Sequence, residues 1–168
     1  NTERRSMRFG CCINMVASEL DGIGTEHLSE LEHMGYDYVE MPLAEMMRLD
    51  GPNFLELKRR VDRLTIGCEV CNNFFPKHMR LTGQEVRMDL VLSYAERALT
   101  RAKDLGATCV VFGSGSAKNV PKGTSLEKGY QQIVDLLNQI ASLAANRDII
   151  ICIEPLRKQE CNLINTFE

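Results

Sequence analysis

Three phrases in the 168-residue chain share one layout: "EHMGYDYVEM", "KDLGATCVVFG" and "AANRDIIICIEP". Each closes a helical stretch with a turn and opens a short apolar run within a few residues. Short, unbroken, β-branched runs of this kind read as strands of a parallel sheet, and parallel strands need helical crossovers between them. The chain is therefore constrained to strict β-α alternation. The remaining runs fit that constraint. Residues 7–14 read as a first strand. A helix from about Thr25 places Leu28, Leu31 and Met34 on one face and stops at Gly35. Residues 36–41 form a second strand, followed by helical material through Met47 and again over 53–64. Residues 65–71 are a third strand, 107–112 a fourth and 149–154 a fifth. Thr82 and Glu85 form a capping box for a helix that carries Val86, Leu90, Val91, Tyr94, Ala95, Ala98, Ala102 and Leu105 to a stop at Gly106. Residues 125–145 form a helix with Ile133, Leu136, Leu137, Ile140 and Leu143 on its apolar face. Residues 72–81 and 113–123 are loops.

Alternation of this kind leaves an open doubly wound sheet or a closed barrel. A doubly wound dinucleotide fold carries a glycine fingerprint at its first strand-to-helix turn. That turn here, Cys12-Ile-Asn-Met-Val-Ala-Ser-Glu19, has no glycine. The α/β fold class is thus a (β/α)8 TIM barrel, which takes ~250 residues, and this chain holds about its first five βα units. Residues 1–6 are polar and read as an N-terminal arm or tag remnant. Residues 7–168 are one unit with no internal linker.

Net charge is −3 and the 20 basic residues are scattered, which gives no footprint for nucleic acid or an anionic membrane. No apolar stretch is long enough to span a bilayer and no secretory signal opens the chain, so a cytoplasmic protein is expected. Seven cysteines, most of them in strands, suit a reducing compartment and behave as small buried hydrophobes. Cys68 and Cys71 match C-x-x-C, but residues three apart in a regular strand face opposite sides and cannot pair. A zinc site would need further ligands.

The chemistry lies at the carboxyl ends of parallel strands. The run at 149–153 ends on Glu154 and reads as a strand buried on both faces; Glu160 follows in the next loop. By itself Glu154 is equally a solvated strand end or a helix cap. Candidates for substrate binding at the same end of the sheet are Asn14, Glu40, His78, Gly113, Arg157 and Glu160, each with an ordinary alternative: a structural hydrogen bond for Glu40, a packed loop for His78, surface pairing for Arg157. Lys118 and Lys122 point to an anionic substrate group or, more commonly, are solvated loop lysines. His27 and His33 are surface residues of the first helix.

The segments Ile153-Glu-Pro-Leu-Arg-Lys-Gln-Glu160 and Leu163-Ile-Asn-Thr166 resemble the sugar phosphate isomerase/epimerase superfamily, the xylose isomerase-like TIM barrels that include ketose 3-epimerases. "MRFGCCIN", "MGYDYVEMPL" and "LGATCVVFGSG" add weaker support. The resemblance implies that Glu154 is a metal-ligating carboxylate and one of two acid/base groups, and that Glu160 hydrogen-bonds the substrate near its carbonyl. Asn165 and Thr166 match the end of the family's loop. It also implies a divalent Mn²⁺, Mg²⁺ or Co²⁺ cofactor, a small carbohydrate substrate, and further Asp, His and Glu ligands on later strands not found in this sequence. The expected activity is metal-dependent isomerisation or epimerisation by proton transfer beside a carbonyl, with the 168 residues alone inactive. Rival readings are a dehydratase or a DNA-repair endonuclease on the same barrel, the latter disfavoured by the acidic charge, and a non-catalytic half-barrel that self-associates as a homo-oligomer.

Overall fold

A computed structural model describes residues 7–167; the arm assigned to residues 1–6 lies outside them. The strands are β1 (Gly10–Cys12), β2 (Tyr38–Pro42), β3 (Gly67–Asn72), β4 (Cys109–Phe112) and β5 (Ile150–Ile153). The α-helices are α1 (Leu28–His33), α2 (Leu43–Met46), α3 (Gly51–Asp62), α4 (Met88–Asp104), α5 (Gly115–Lys118) and α6 (Leu126–Ala145). The strands form one parallel sheet in the order β1-β2-β3-β4-β5. Sequential order without a reversal point is the winding of a barrel; a doubly wound sheet reverses direction partway.

The register assigns the two faces. Val39, Met41, Cys68, Cys71, Val110 and Phe112 point to one side and are fully or almost fully buried under the helices. Gly10, Cys12, Tyr38, Glu40, Val70, Cys109, Val111 and Cys152 point to the other, none of them fully buried. Helix α6 supplies much of the packing through Ile133, Leu136 and Ile140, as its period requires, with Ser125 capping its first turn by accepting from the Lys128 N–H at 3.2 Å. Asp50 does the same for α3. Among the described residues no helix is long and apolar enough to cross a membrane.

Several expectations are corrected. The capping box is absent: α4 begins at Met88, and Thr82 instead donates its hydroxyl proton to the Asn119 carbonyl at 2.9 Å. Met34 and Leu90 are exposed rather than on the apolar faces. The loop at 113–123 contains α5. Strand β5 is not buried on both faces. Ile150 is 71% exposed and Cys152 and Glu154 are exposed, because among the described residues β5 pairs only with β4 and lies at the sheet edge. The two thiols of the C-x-x-C do not face opposite sides. Glu69 is an extra residue in β3, with Val39 opposite Cys68 and Glu40 opposite Val70, so the alternation slips by one and both sulfurs face the helices. Contact with Cys68, then burial, pushes the Cys71 thiol well up. Both remain free packing cysteines.

The turn after β1 is clamped by Glu26. Its Oε1 accepts from the Ser18 N–H (2.6 Å), the Ser18 hydroxyl (2.9 Å) and the Glu19 N–H (3.1 Å). These donors, led by the Ser18 backbone, hold its carboxyl down at about 2 from an ordinary 4.5. A depressed carboxyl stabilises the fold above the ordinary value and stops doing so as pH falls through the depressed one. Thermal unfolding followed from pH 5 down to pH 2 should therefore show the native protein losing stability more steeply than Glu26→Gln, with the two curves converging at the acid end. Parallel curves would show that the clamp carries none of the pH dependence.

Candidate functional site

Glu154 follows β5 at the carboxyl end of the sheet. Its N–H donates to the Phe112 carbonyl at 3.3 Å, continuing the β4–β5 pairing by one residue. The carboxylate lies directly over Gly113, where a Cβ would overlap Oε2. The missing side chain is what lets the carboxylate rest there; the Gly113 backbone itself is not in the left-handed region. Pro155 has no N–H and ends the pairing.

The groove beside Glu154 has a volume of about 410 Å³ and is lined by Asn73, Lys77, Gly113, Ser114, Glu154 and Glu160 among others. Two of these residues adopt left-handed backbone conformations without being glycine, Asn73 (φ 49°) and Ser114 (φ 40°). Ile164, in the loop after β5, does so too (φ 56°), which is costly for a β-branched residue. Strain of this kind persists where surrounding contacts over-determine the backbone. Here Ser114 Oγ accepts from the Phe75 N–H at 3.0 Å, and the Ile164 carbonyl accepts from the Leu156 N–H at 3.0 Å. Asn165 Nδ2 bonds both the Leu156 and Cys161 carbonyls, at 2.7 and 2.9 Å, and closes the post-β5 loop on itself.

Glu160 reaches this groove already paired. Arg157 grips it through two bonds, Nε to Oε2 at 3.1 Å and Nη2 to Oε1 at 3.0 Å, and holds its carboxyl below the usual range. Both side chains stay solvent-accessible, so the pair presents a fixed carboxylate edge rather than a sequestered ion pair.

Glu40 and Asn14 sit toward the other edge of the sheet within one polar cluster. Cys12 Sγ donates to Asn14 Oδ1 at 3.1 Å, and Asn72 Nδ2 approaches Cys12 Sγ at 2.7 Å and Asn14 Oδ1 at 3.0 Å. Glu40 lies across the register from Cys12 and Val70. Burial raises its carboxyl, hydrogen bonds with Asn72 and Cys12 offset part of that, and the charge of Glu154 adds to it. The Cys12 thiol is pushed up to about 11, first by burial and then by Glu40. Asn72 Oδ1 is buried without a hydrogen-bond partner among the described residues.

The structure thus brings Glu154, Glu160 and Gly113 to one groove, with Arg157 at its edge, and sets Glu40 and Asn14 across the same face of the sheet. His78 lines a different groove with Ala44, Arg48, Met79 and Tyr94; of the residues lining the two, only Lys77 is common. His27 pairs with Glu30 and His33 with the Ser29 carbonyl, both on the first helical segment. Lys118 is not solvated and does not line the Glu154 groove: it is fully buried, with Nζ 3.3 Å from the Glu154 carbonyl oxygen and 5.3 Å from the Phe112 ring centre. Burial lowers its ammonium pKa. The sequence marks Lys118 only as a loop lysine facing an anionic substrate group or solvent, and does not mark Asn72 at all. A lone lysine in a Gly/Ser-rich loop carries no periodic signal, and Asn72 falls one residue beyond the apolar run. Among the described residues no three His, Cys, Asp or Glu side chains converge as metal ligands. The donors present do not by themselves make a metal centre.

A singly wound parallel sheet with carboxylates at its carboxyl-terminal mouth defines the class, an α/β barrel, a fold whose enzymes carry their chemistry at that end. The sequence over residues 28–168 matches the model of the xylose isomerase-like TIM barrel family, and the chain belongs to that family. No curated protein matches the sequence. Among solved structures it is similar to a D-psicose 3-epimerase in the presence of D-fructose (TM-score 0.78, 17% identity, 95% of this chain and 56% of that one). It is also similar to 3-keto-D-glucoside 4-epimerase YcjR from E. coli (TM-score 0.73, 18% identity, 96% and 60%). A third is D-psicose 3-epimerase with D-tagatose from Clostridium cellulolyticum H10 (TM-score 0.77, 16% identity, 95% and 56%). The chain spans a little over half the length of each.

Proposed function

We propose that this chain contributes the first five βα units, and one acid/base carboxylate, of an isomerase or epimerase acting on a small carbohydrate. The observation that carries the reading is the placement of Glu154: a strand-end carboxylate over a side-chain-free glycine, opening into a groove that also holds Glu160. Family membership and the epimerase structures that share the fold support the substrate class. In the proposed reaction Glu154 takes a proton from the carbon beside a carbonyl. The bonding pair of that C–H moves into the new C=C bond as the carbonyl oxygen gains charge, and the proton then returns to the same or the neighbouring carbon. Ser114 and Asn73, with the Lys77 ammonium, are the donors this chain offers to that oxygen; the Arg157-held edge of Glu160 accepts from substrate hydroxyls. A divalent cation of the Mn²⁺, Mg²⁺ or Co²⁺ kind belongs to the proposal, with Glu154 as one ligand and the other donors drawn from beyond the described residues.

The test is proton exchange. The protein as expressed from its gene is incubated in D₂O with five- and six-carbon ketoses, with and without Mn²⁺, and deuterium at the carbon next to the carbonyl is followed by NMR. Uptake with at least one ketose is expected. No uptake with any of them rejects the reading.

A further inference from the structure

Lys118 presents the sharpest physical anomaly in the fold. It is a fully buried lysine, and no carboxylate lies within ion-pair distance of it among the described residues. Burying a charge without an opposing one is costly, and a methionine of similar length would fill the same space without that cost. What the ammonium does that a methionine could not is donate a hydrogen bond, and its acceptor is the main-chain carbonyl of Glu154. That carbonyl lies where the strand loses its support, because the next residue, Pro155, has no N–H to give.

The lysine approaches from the helix side of the sheet, over the ring of Phe112, while the Glu154 carboxylate lies over Gly113 on the other side. Its own backbone is firmly held. The Lys118 N–H donates to the Ser114 carbonyl at 3.0 Å, the Ala117 carbonyl accepts from the Leu81 N–H at 3.0 Å, and Thr82 ties down the next residue. A rigid anchor therefore fixes the Glu154 carbonyl from behind, and the Phe112 carbonyl fixes the Glu154 N–H, in the preceding peptide, from the side.

We infer that Lys118 is a positioning residue, whose hydrogen bond to the Glu154 carbonyl sets where the carboxylate stands in the groove. The inference rests on the proton-transfer reading for its kinetic consequence, but its structural part can be tested without turnover.

The experiment compares Lys118→Met and Lys118→Arg in the protein as expressed from its gene. Lys118→Met should lower kcat for proton exchange ~30-fold with KM within about twofold, as expected when a reacting group is displaced while substrate binding is left intact. The melting temperature should hold or rise, since a buried unpaired charge has been removed. Amide hydrogen exchange at Glu154 should quicken about tenfold or more as the strand end loosens. Lys118→Arg, which keeps a donor, should restore kcat to within about threefold of the native value. Unchanged amide exchange at Glu154 in the methionine variant overturns the inference. So does a methionine variant that melts ~10 °C lower with kcat and KM worsening together, the mark of a purely structural residue. If the native protein turns over no ketose, the proton-transfer reading fails, and the amide-exchange comparison still decides the role of Lys118.

Discussion

Replacing Glu154 with glutamine is expected to reduce deuterium uptake into the substrate by ~10³-fold, within the range that a positioned acid or base contributes. Glutamine has the same shape, and the contacts that place this residue are made by its backbone, through the Phe112 carbonyl and the Lys118 ammonium. The side chain is exposed, so the substitution leaves no buried polar group behind. Stability should therefore be unchanged within about 0.5 kcal/mol, as for other exposed positions. Loss of exchange with intact folding would tie the chemistry to the carboxylate itself. A variant within tenfold of the native rate would end the assignment, because the other carboxylate of the groove is already engaged by Arg157.

The second large effect is expected at Gly113. An alanine Cβ there would overlap Glu154 Oε2, and the next neighbours are also side-chain atoms, Glu154 Cδ and Leu156 Cδ2. The obstruction meets the free end of a side chain rather than the backbone, and Gly113 is not in a conformation that demands glycine. The fold can thus accept the methyl group by letting the carboxylate swing aside. A displacement of about 1 Å at a reacting group is enough to cost ~10² in rate. Gly113→Ala should therefore show a loss of about that size in kcat while melting within a few degrees of the native protein. A rate within threefold of native would mean that the carboxylate's resting place is irrelevant. Large destabilisation would mean that the methyl group strikes the main chain instead.

The barrel winding was legible from the sequence because helix stops and apolar runs recur at short range, and such signals need only local physics. Helix α6 illustrates this: Ser125, Ile133, Leu136 and Ile140 occupy the positions their spacing assigns. The candidate site was legible only where it coincides with a strand end, as at Glu154. What escaped reading depends on neighbours distant in sequence. Thr82, expected to accept from its own helix as a cap, instead donates its hydroxyl proton to the Asn119 carbonyl, 37 residues away. The run 149–153 has the composition of a central strand, yet its exposure is decided by what pairs with it, and composition cannot encode that. Lys118 looks like any loop lysine until tertiary packing closes over it. Surface pairing of Arg157 was foreseeable, but not that its partner Glu160 would line the Glu154 groove.

One inserted residue in β3 has the widest reach of these. In an ordinary strand, parity is a property of the whole segment: choosing which side one residue faces chooses it for all. Glu69 breaks that rule midway, so the lower part of β3 follows one parity and the upper part the other. The floor of the sheet can keep Cys68 against the helices while the rim independently offers Asn72 to the open face. A substitution at the rim is thereby freed from the packing demands of the floor, and the strand can change what it presents at its mouth without being rebuilt from its base.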